Sequence, residues 1–199
     1  EVKDHSAKGV TIQNVPSFLF LKDVEADVPD IGRVVADIAY GGNFYAILPS
    51  EMVGLPIVPK CATDLIRAGQ KVRAALNERV SVAHPENPLI RGVTHVMFTA
   101  PPTHPEATKK NCVIYGPSGL DRSPCGTGTS ARMAQLHARG ELGLNQEFVH
   151  ESIIGSLFYG KLVGEAKVGD CAAVIPTIRG RAYITGISNY VIDPEDPFP

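Results

Sequence analysis

Tryptophan is absent from this 199-residue sequence, methionine occurs three times and cysteine four times. Cys61, Cys112, Cys125 and Cys171 are widely spaced and form no Cys-x-x-Cys pair. That spacing excludes a zinc ribbon and argues against a disulfide frame, so the thiols read as reduced, as in a cytoplasmic enzyme. Cys61, Cys112 and Cys171 read as small core residues. Long apolar runs are also missing, so no membrane span is expected, and no secretory-signal pattern opens the sequence. Neither sign of charge is in excess: 19 basic and 21 acidic residues are interspersed and leave a net charge of −2. No nucleic-acid or membrane-surface partner is therefore expected. The six histidines are scattered without ligand spacing, and neither a metal nor any other cofactor is expected. His150 stands next to Glu151, but neighbours on a strand point to opposite faces, so His150 reads as structural.

What the sequence does have is many short runs rich in Val, Ile, Phe and Tyr, punctuated by 19 glycines and 16 prolines. These runs predict strands over residues 9–15, 18–21, 32–38, 43–48, 93–99, 112–115, 147–151, 156–165, 171–175 and 180–192. Residues 165–170 read as a hairpin connection. Only two long helices are expected. Residues 62–80 place Leu65, Ile66, Gly69, Val72, Leu76 and Val80 on one stripe, and residues 128–139 form an alanine-containing second helix. Gly69 costs the first helix about 1 kcal/mol relative to alanine, which points to a close neighbour there. Many strands and two helices predict an α+β fold.

The most informative stretch is Asp121-Arg122-Ser123-Pro124-Cys125-Gly126-Thr127-Gly128-Thr129-Ser130-Ala131. It sets Cys125 just before a helical first turn, where unpaired backbone N–H groups lower a thiol's pKa and cradle an anion. Gly126 and Gly128 let a ligand approach the backbone. Asp121 can hold a cationic group. A thiol, a carboxylate cradle and an ammonium site together suit an α-amino acid.

This run resembles the second catalytic-cysteine motif of the proline racemase and hydroxyproline 2-epimerase family. Four further stretches agree: Val10–Ser17, Asp37–Ala46, Glu151–Ser156 and Asp193–Phe198. The resemblance covers nearly the whole chain. It implies a diaminopimelate-epimerase-like domain, a mixed or antiparallel sheet wrapped around a central helix, as the second half of a two-domain enzyme. On that basis residues 16–175 form the domain carrying the Cys125 motif. Residues 1–15 are a crossover from an N-terminal domain, and residues 176–199 a tail packing on it. The family's first cysteine lies in a Met-Cys-Gly-His motif that does not occur here, and the sequence starts at Glu1. The expectation is thus a C-terminal fragment or one piece of a cleaved enzyme, inactive alone. A homodimer is implied only by analogy.

Inverting an α-carbon without a cofactor needs two groups on opposite faces, one protonated and one not. The resemblance assigns Cys125 as one of them, with its partner in the absent domain. The Gly126 and Thr127 amides would stabilise charge developing on the substrate carboxylate, and Asp121 would hold the ring ammonium. Tyr115 is either the family's aromatic wall for the ring or a half-buried strand tyrosine. Tyr40, Gly41 and Gly42 read as a structural turn. Three readings stand: a proline or 4-hydroxyproline racemase/epimerase; a trans-3-hydroxyproline dehydratase, against which Cys125 speaks; and a non-catalytic amino-acid- or anion-binding fragment. Tyr115 offers a phenol to a ring hydroxyl, which tilts the first reading toward 4-hydroxyproline, converted from the trans-L to the cis-D form.

Overall fold

A computed structural model describes residues 2–3 and 6–198. Nine strands build its main sheet. In chain order they are β1 (Val10–Gln13), β2 (Phe18–Val28), β3 (Gly32–Tyr40), β4 (Phe44–Pro49), β5 (His95–Ala100), β6 (Lys109–Tyr115), β7 (Glu147–Glu151), β8 (Leu157–Val168) and β9 (Cys171–Gly180). The helices are α1 (Ala62–Arg79) and α2 (Gly126–Ala138). The spatial order is β1-β9-β8-β7-β6-β5-β4-β3-β2, with Gly119–Leu120 added against β6. The β4–β5 and β6–β7 pairs are parallel and the others antiparallel. Ser17 and Val174 exchange backbone bonds of 2.9 and 2.8 Å, which brings the start of β2 back to β9 and closes the sheet on itself.

Alternation along the central strands decides what each helix touches. Phe44, Ala46, Val96, Phe98, Cys112 and Ile114 join Leu65, Val72 and Leu76 of α1 in one core. Their neighbours Tyr45, Ile47, Met97 and Val113 face the other way and pack with Ala131 of α2 and with Cys125. The remaining side of α2 packs Met133, Ala134 and Leu136 on Phe148, Leu162, Val174 and Ile178. Helix α1 therefore lies outside the closed sheet and α2 inside it. Strands covered on both faces read as continuous apolar runs, which is why β4 and the middle stretches 96–98 of β5 and 112–114 of β6 look apolar.

Small residues allow the enclosure. A Cβ on Gly41, in the β3–β4 turn, would lie 2.2 Å from the Thr127 carbonyl oxygen and 2.5 Å from the Ala131 nitrogen. The Tyr40–Gly42 turn thus serves the fold, as its sequence implied. The far end of α2 is tied to β3 by ions. Asp37 accepts 2.6 Å bonds from Arg139 Nε and Nη2 and from Gln135 Nε2. Burial opposes ionisation of Asp37, but the bonds from Arg139, the Asp23 N–H and Gln135 outweigh it and hold its carboxyl below the ordinary range.

Several boundaries differ from the sequence reading. β2 runs to Val28 rather than to residue 21, because its partner β3 continues the ladder. β8 continues to Val168, so the hairpin connection shrinks to Gly169-Asp170, with Gly169 at φ 54°. β9 continues to Gly180, where it pairs with β1. The strand expected over residues 180–192 does not form beyond Gly180. Tyr183, Ile184, Ile187 and Tyr190 there are 72–94% exposed and pair with no strand among the described residues.

Gly69 of α1 gives a test of the packing. Its Cβ would sit 2.8–3.0 Å from three atoms of the buried, branched Ile114 side chain. Alanine would add about 1 kcal/mol of helix propensity, whereas overpacking a rigid core costs roughly 1–3 kcal/mol. Gly69→Ala is therefore expected to lower stability in denaturant titrations, and to cost less in an Ile114→Ala background, which lacks both crowding Cγ atoms. A raised midpoint for Gly69→Ala would contradict this packing.

Candidate active site

Cys125 occupies the N-cap of α2, at the mouth of the closed sheet. The helix begins at Gly126, two residues earlier than the sequence suggested. Cys125 has φ 64° and ψ 121°, a conformation that L-residues rarely adopt and that costs on the order of 1–3 kcal/mol. The other described non-glycine residues with positive φ are Asp23, Asp30 and Asn145, types that tolerate it. The turn before the helix is organised by Asp121, whose Oδ1 accepts 2.9 Å bonds from the N–H and hydroxyl of Ser123. Ser123 Oγ in turn accepts the Cys125 N–H at 3.1 Å.

The thiol is surrounded by donors. Tyr45 Oη lies 3.4 Å from Cys125 Sγ and 2.6 Å from Thr127 Oγ1, and Thr127 Oγ1 is 3.9 Å from Sγ. The Gly128 N–H also bonds the sulfur. The sequence reading expected this helix terminus to bring the thiol's pKa nearer neutrality, and here the structure differs. Cys125 is 9% exposed. Burial is the largest influence and pushes its pKa up, with the charge of Asp121 adding to it. The bonds from Tyr45, Gly128 and Thr127 pull the other way without overcoming it. Desolvation disfavours a thiolate more than three uncharged donors favour it.

Of the five residues singled out from the sequence, Asp121, Cys125, Gly126 and Thr127 share this mouth, and Tyr115 reaches it only through His95 and Tyr45. Asp121 and Ser123 brace the turn, Thr127 bonds Tyr45, and Gly126 borders a hollow of ≈ 330 Å³ shared with Ser123, Val10, Ile12, Phe158 and Ile178. Thr127 and Gly126 sit in the first helical turn, whose amides have no intrahelical acceptor. Tyr115 is 43% exposed at the end of β6. Its ring stacks at 6.1 Å on His95, whose ring lies 4.8 Å from Tyr45. A row of rings therefore runs from Tyr115 through His95 to the tyrosine beside the thiol. Burial and the charge of Arg73 lower the His95 pKa, against a smaller opposing pull from Asp121.

Tyr45 and His95 escaped the sequence reading. Both belong to apolar strand runs, and only the alternation of β4 and β5 relative to α2 would have pointed Tyr45 inward. His150 and Glu151 do diverge as expected. His150 bonds Thr129 inside the sheet, while Glu151 accepts from Lys110 Nζ at 2.9 Å and from the His104 N–H at 2.9 Å. All four cysteines are free thiols; Cys112 is buried, and Cys61 and Cys171 lie half-buried against the same core. No helix among the described residues is long and apolar enough to cross a membrane.

Comparison with known proteins gives a consistent picture. The sequence is 53% identical over 198 residues to a 4-hydroxyproline 2-epimerase of Streptosporangium roseum, covering 100% of this chain and 59% of that protein. It is 50% identical over 196 residues to a proline racemase of Clostridioides difficile, covering 98% of this chain and 58% of that one. The fold superposes with a TM-score of 0.90 and 40% identity on a crystal structure of a hydroxyproline epimerase from Agrobacterium vitis with bound trans-4-hydroxy-L-proline, covering 100% of this chain and 56% of that one. The chain thus spans less than two thirds of the length of these relatives. The family profile described as Proline racemase matches residues 1–199, and the chain belongs to the proline racemase family.

Proposed function

We propose that this chain supplies one half of the active site of a cofactor-independent epimerase. The enzyme inverts the α-carbon of 4-hydroxyproline, from trans-4-hydroxy-L-proline to cis-4-hydroxy-D-proline, and Cys125 is one of two acid/base thiols. The second thiol would come from an N-terminal part of the protein. The observation that carries this reading is the placement of Cys125 Sγ among Tyr45, Thr127 and the Gly128 amide, with Asp121 on the preceding turn.

In this reading a substrate carboxylate takes the Gly126 and Thr127 amides, which stabilise the charge that moves onto it as the α-carbon loses its proton. Asp121 holds the ring ammonium, and the ammonium's positive charge acidifies the α-carbon. Burial keeps Cys125 protonated at rest, so it starts as the acid that delivers a proton to one face. It returns as the base when the opposite stereoisomer binds. A thiolate formed in so dry a setting is also a stronger base than one in water. The segment beyond Gly180, with the exposed Ile184 and Ile187, and the exposed Val10 and Ile12 of β1 would pack against the N-terminal part. Four free thiols fit a reducing compartment, and we assign the enzyme to the cytoplasm.

A proline racemase is the second reading, and the two differ at one place. Tyr115 and His95 lie side by side and both offer a hydrogen bond, which favours a ring bearing a hydroxyl group. In the full-length protein, Tyr115→Phe and His95→Phe are each expected to lower kcat/KM for 4-hydroxyproline about tenfold relative to proline. Equal losses on both amino acids would favour proline as the substrate.

Cys125→Ser tests the reading itself. A serine hydroxyl is too weak an acid for thiol-type proton exchange but leaves the amides in place. Polarimetry on the full-length variant should show epimerisation reduced roughly 100- to 10000-fold. Calorimetry should still detect binding of the planar analogue pyrrole-2-carboxylate. Near-normal turnover would remove Cys125 from the chemistry.

A further inference from the structure

Two polar side chains with no part in the chemistry above converge on one backbone oxygen, and a third backs one of them. Asn111 of β6, Thr129 of α2 and His150 of β7 are each 0% exposed. Asn111 Nδ2 donates to the Pro124 carbonyl at 2.8 Å, and Thr129 Oγ1 donates to the same oxygen at 3.2 Å. His150 Nδ1 lies 2.9 Å from Thr129 Oγ1. Both lone pairs of that carbonyl are therefore taken by buried donors. Pro124 immediately precedes Cys125, the one described non-glycine residue with positive φ that is not Asp or Asn.

We infer that Asn111 and the His150–Thr129 pair are positioning residues that clamp the Pro124 carbonyl and thereby hold Cys125 in its left-handed backbone conformation. The clamp's importance for turnover rests on the acid/base role proposed for Cys125. A strained conformation persists only where its surroundings over-determine it. Here the fixing comes from three separate elements on one side of the Pro124–Cys125 peptide and from Ser123 Oγ on the other.

The arrangement also specifies a proton position. A threonine hydroxyl has one proton, and a carbonyl has none to give. With the Thr129 proton on Pro124, the proton between Thr129 and His150 must belong to the histidine, which fixes the neutral Nδ1–H tautomer. Burial, aided by the charge of Arg132, lowers the His150 pKa to about 3, so the ring stays neutral wherever the protein is studied. The arrangement also leaves Asn111 Oδ1 and His150 Nε2 buried without a hydrogen-bond partner among the described residues. Apolar side chains of similar shape would carry no such penalty. Packing alone does not account for these residue types, whereas the need to aim the peptide before Cys125 does.

The test uses the full-length protein with Thr129→Val and Thr129→Ser. Valine keeps the shape and removes the hydroxyl; serine keeps the hydroxyl and removes a methyl group. The Cys125 Cα chemical shift reports that residue's backbone conformation without any turnover. It is expected to move in Thr129→Val and to stay near the wild-type value in Thr129→Ser. For epimerisation, kcat should fall on the order of 10- to 100-fold in the valine variant, with KM within about twofold. The serine variant should recover most of kcat. A role in packing alone predicts the reverse ranking, with serine the more damaging. The 15N shifts of His150 in the unaltered protein should report Nδ1–H. An Nε2–H tautomer, an unmoved Cys125 shift in Thr129→Val, or serine no better than valine would each overturn the clamp. If the unaltered protein epimerises neither amino acid, the functional reading fails, while the two NMR measurements still decide the clamp.

Discussion

Enclosing a helix inside a sheet that closes on itself is the constraint on which this chain's other features depend. Helix α2 can sit there only because the β3–β4 turn reaches its first turn through Gly41, where a Cβ would lie 2.2 Å from the Thr127 carbonyl oxygen. The Ser17–Val174 pair then closes the ladder around it. A helix fixed in this way has one accessible end. The entering chain must turn sharply at Cys125 to reach it, and the positive φ of that residue is the local consequence. The placement of Cys125, its strain and the open amides of the first helical turn thus share one origin in the topology.

The same enclosure sets the electrostatics. Helix N-terminal amides favour a thiolate in the open, but the sheet that holds α2 also removes water from Cys125. Burial therefore prevails over the Tyr45, Gly128 and Thr127 donors. Tyr45 shows the mutual effect: burial first, and then the neighbouring thiol, raise its own pKa far above an ordinary phenol's. The pair is thus protonated at rest, with Asp121 the nearby carboxylate. Such a centre suits an incoming cation, whose charge offsets that of Asp121 beside the thiol.

What the sequence made legible was local. The Asp121–Ala131 motif could be read because its spacing, glycines and following helix are contiguous, and its four residues Asp121, Cys125, Gly126 and Thr127 lie together at the start of α2. The α+β class followed from short apolar runs and two periodic helices. Tyr45 was hidden because it lies 80 residues from Cys125 in an apolar run whose two faces are both buried. The clamp on Pro124 was hidden for the same reason, since Asn111 and His150 come from different strands. Residues beyond Gly180 read as a strand because alternation of Tyr, Ile and Val is a composition signal. A strand also needs an edge to pair with, and sequence composition does not report one.

The central claim is that Cys125 is one of two bases on opposite faces of the α-carbon. The most direct measurement is proton NMR of the full-length protein converting trans-4-hydroxy-L-proline in D2O, followed from the first turnovers. Two bases predict that newly formed cis-4-hydroxy-D-proline carries deuterium at Cα while the remaining substrate keeps its proton, and that this 199-residue chain alone forms no epimer. Equal early deuteration of substrate and product, or epimer formed by this chain alone, would contradict the account.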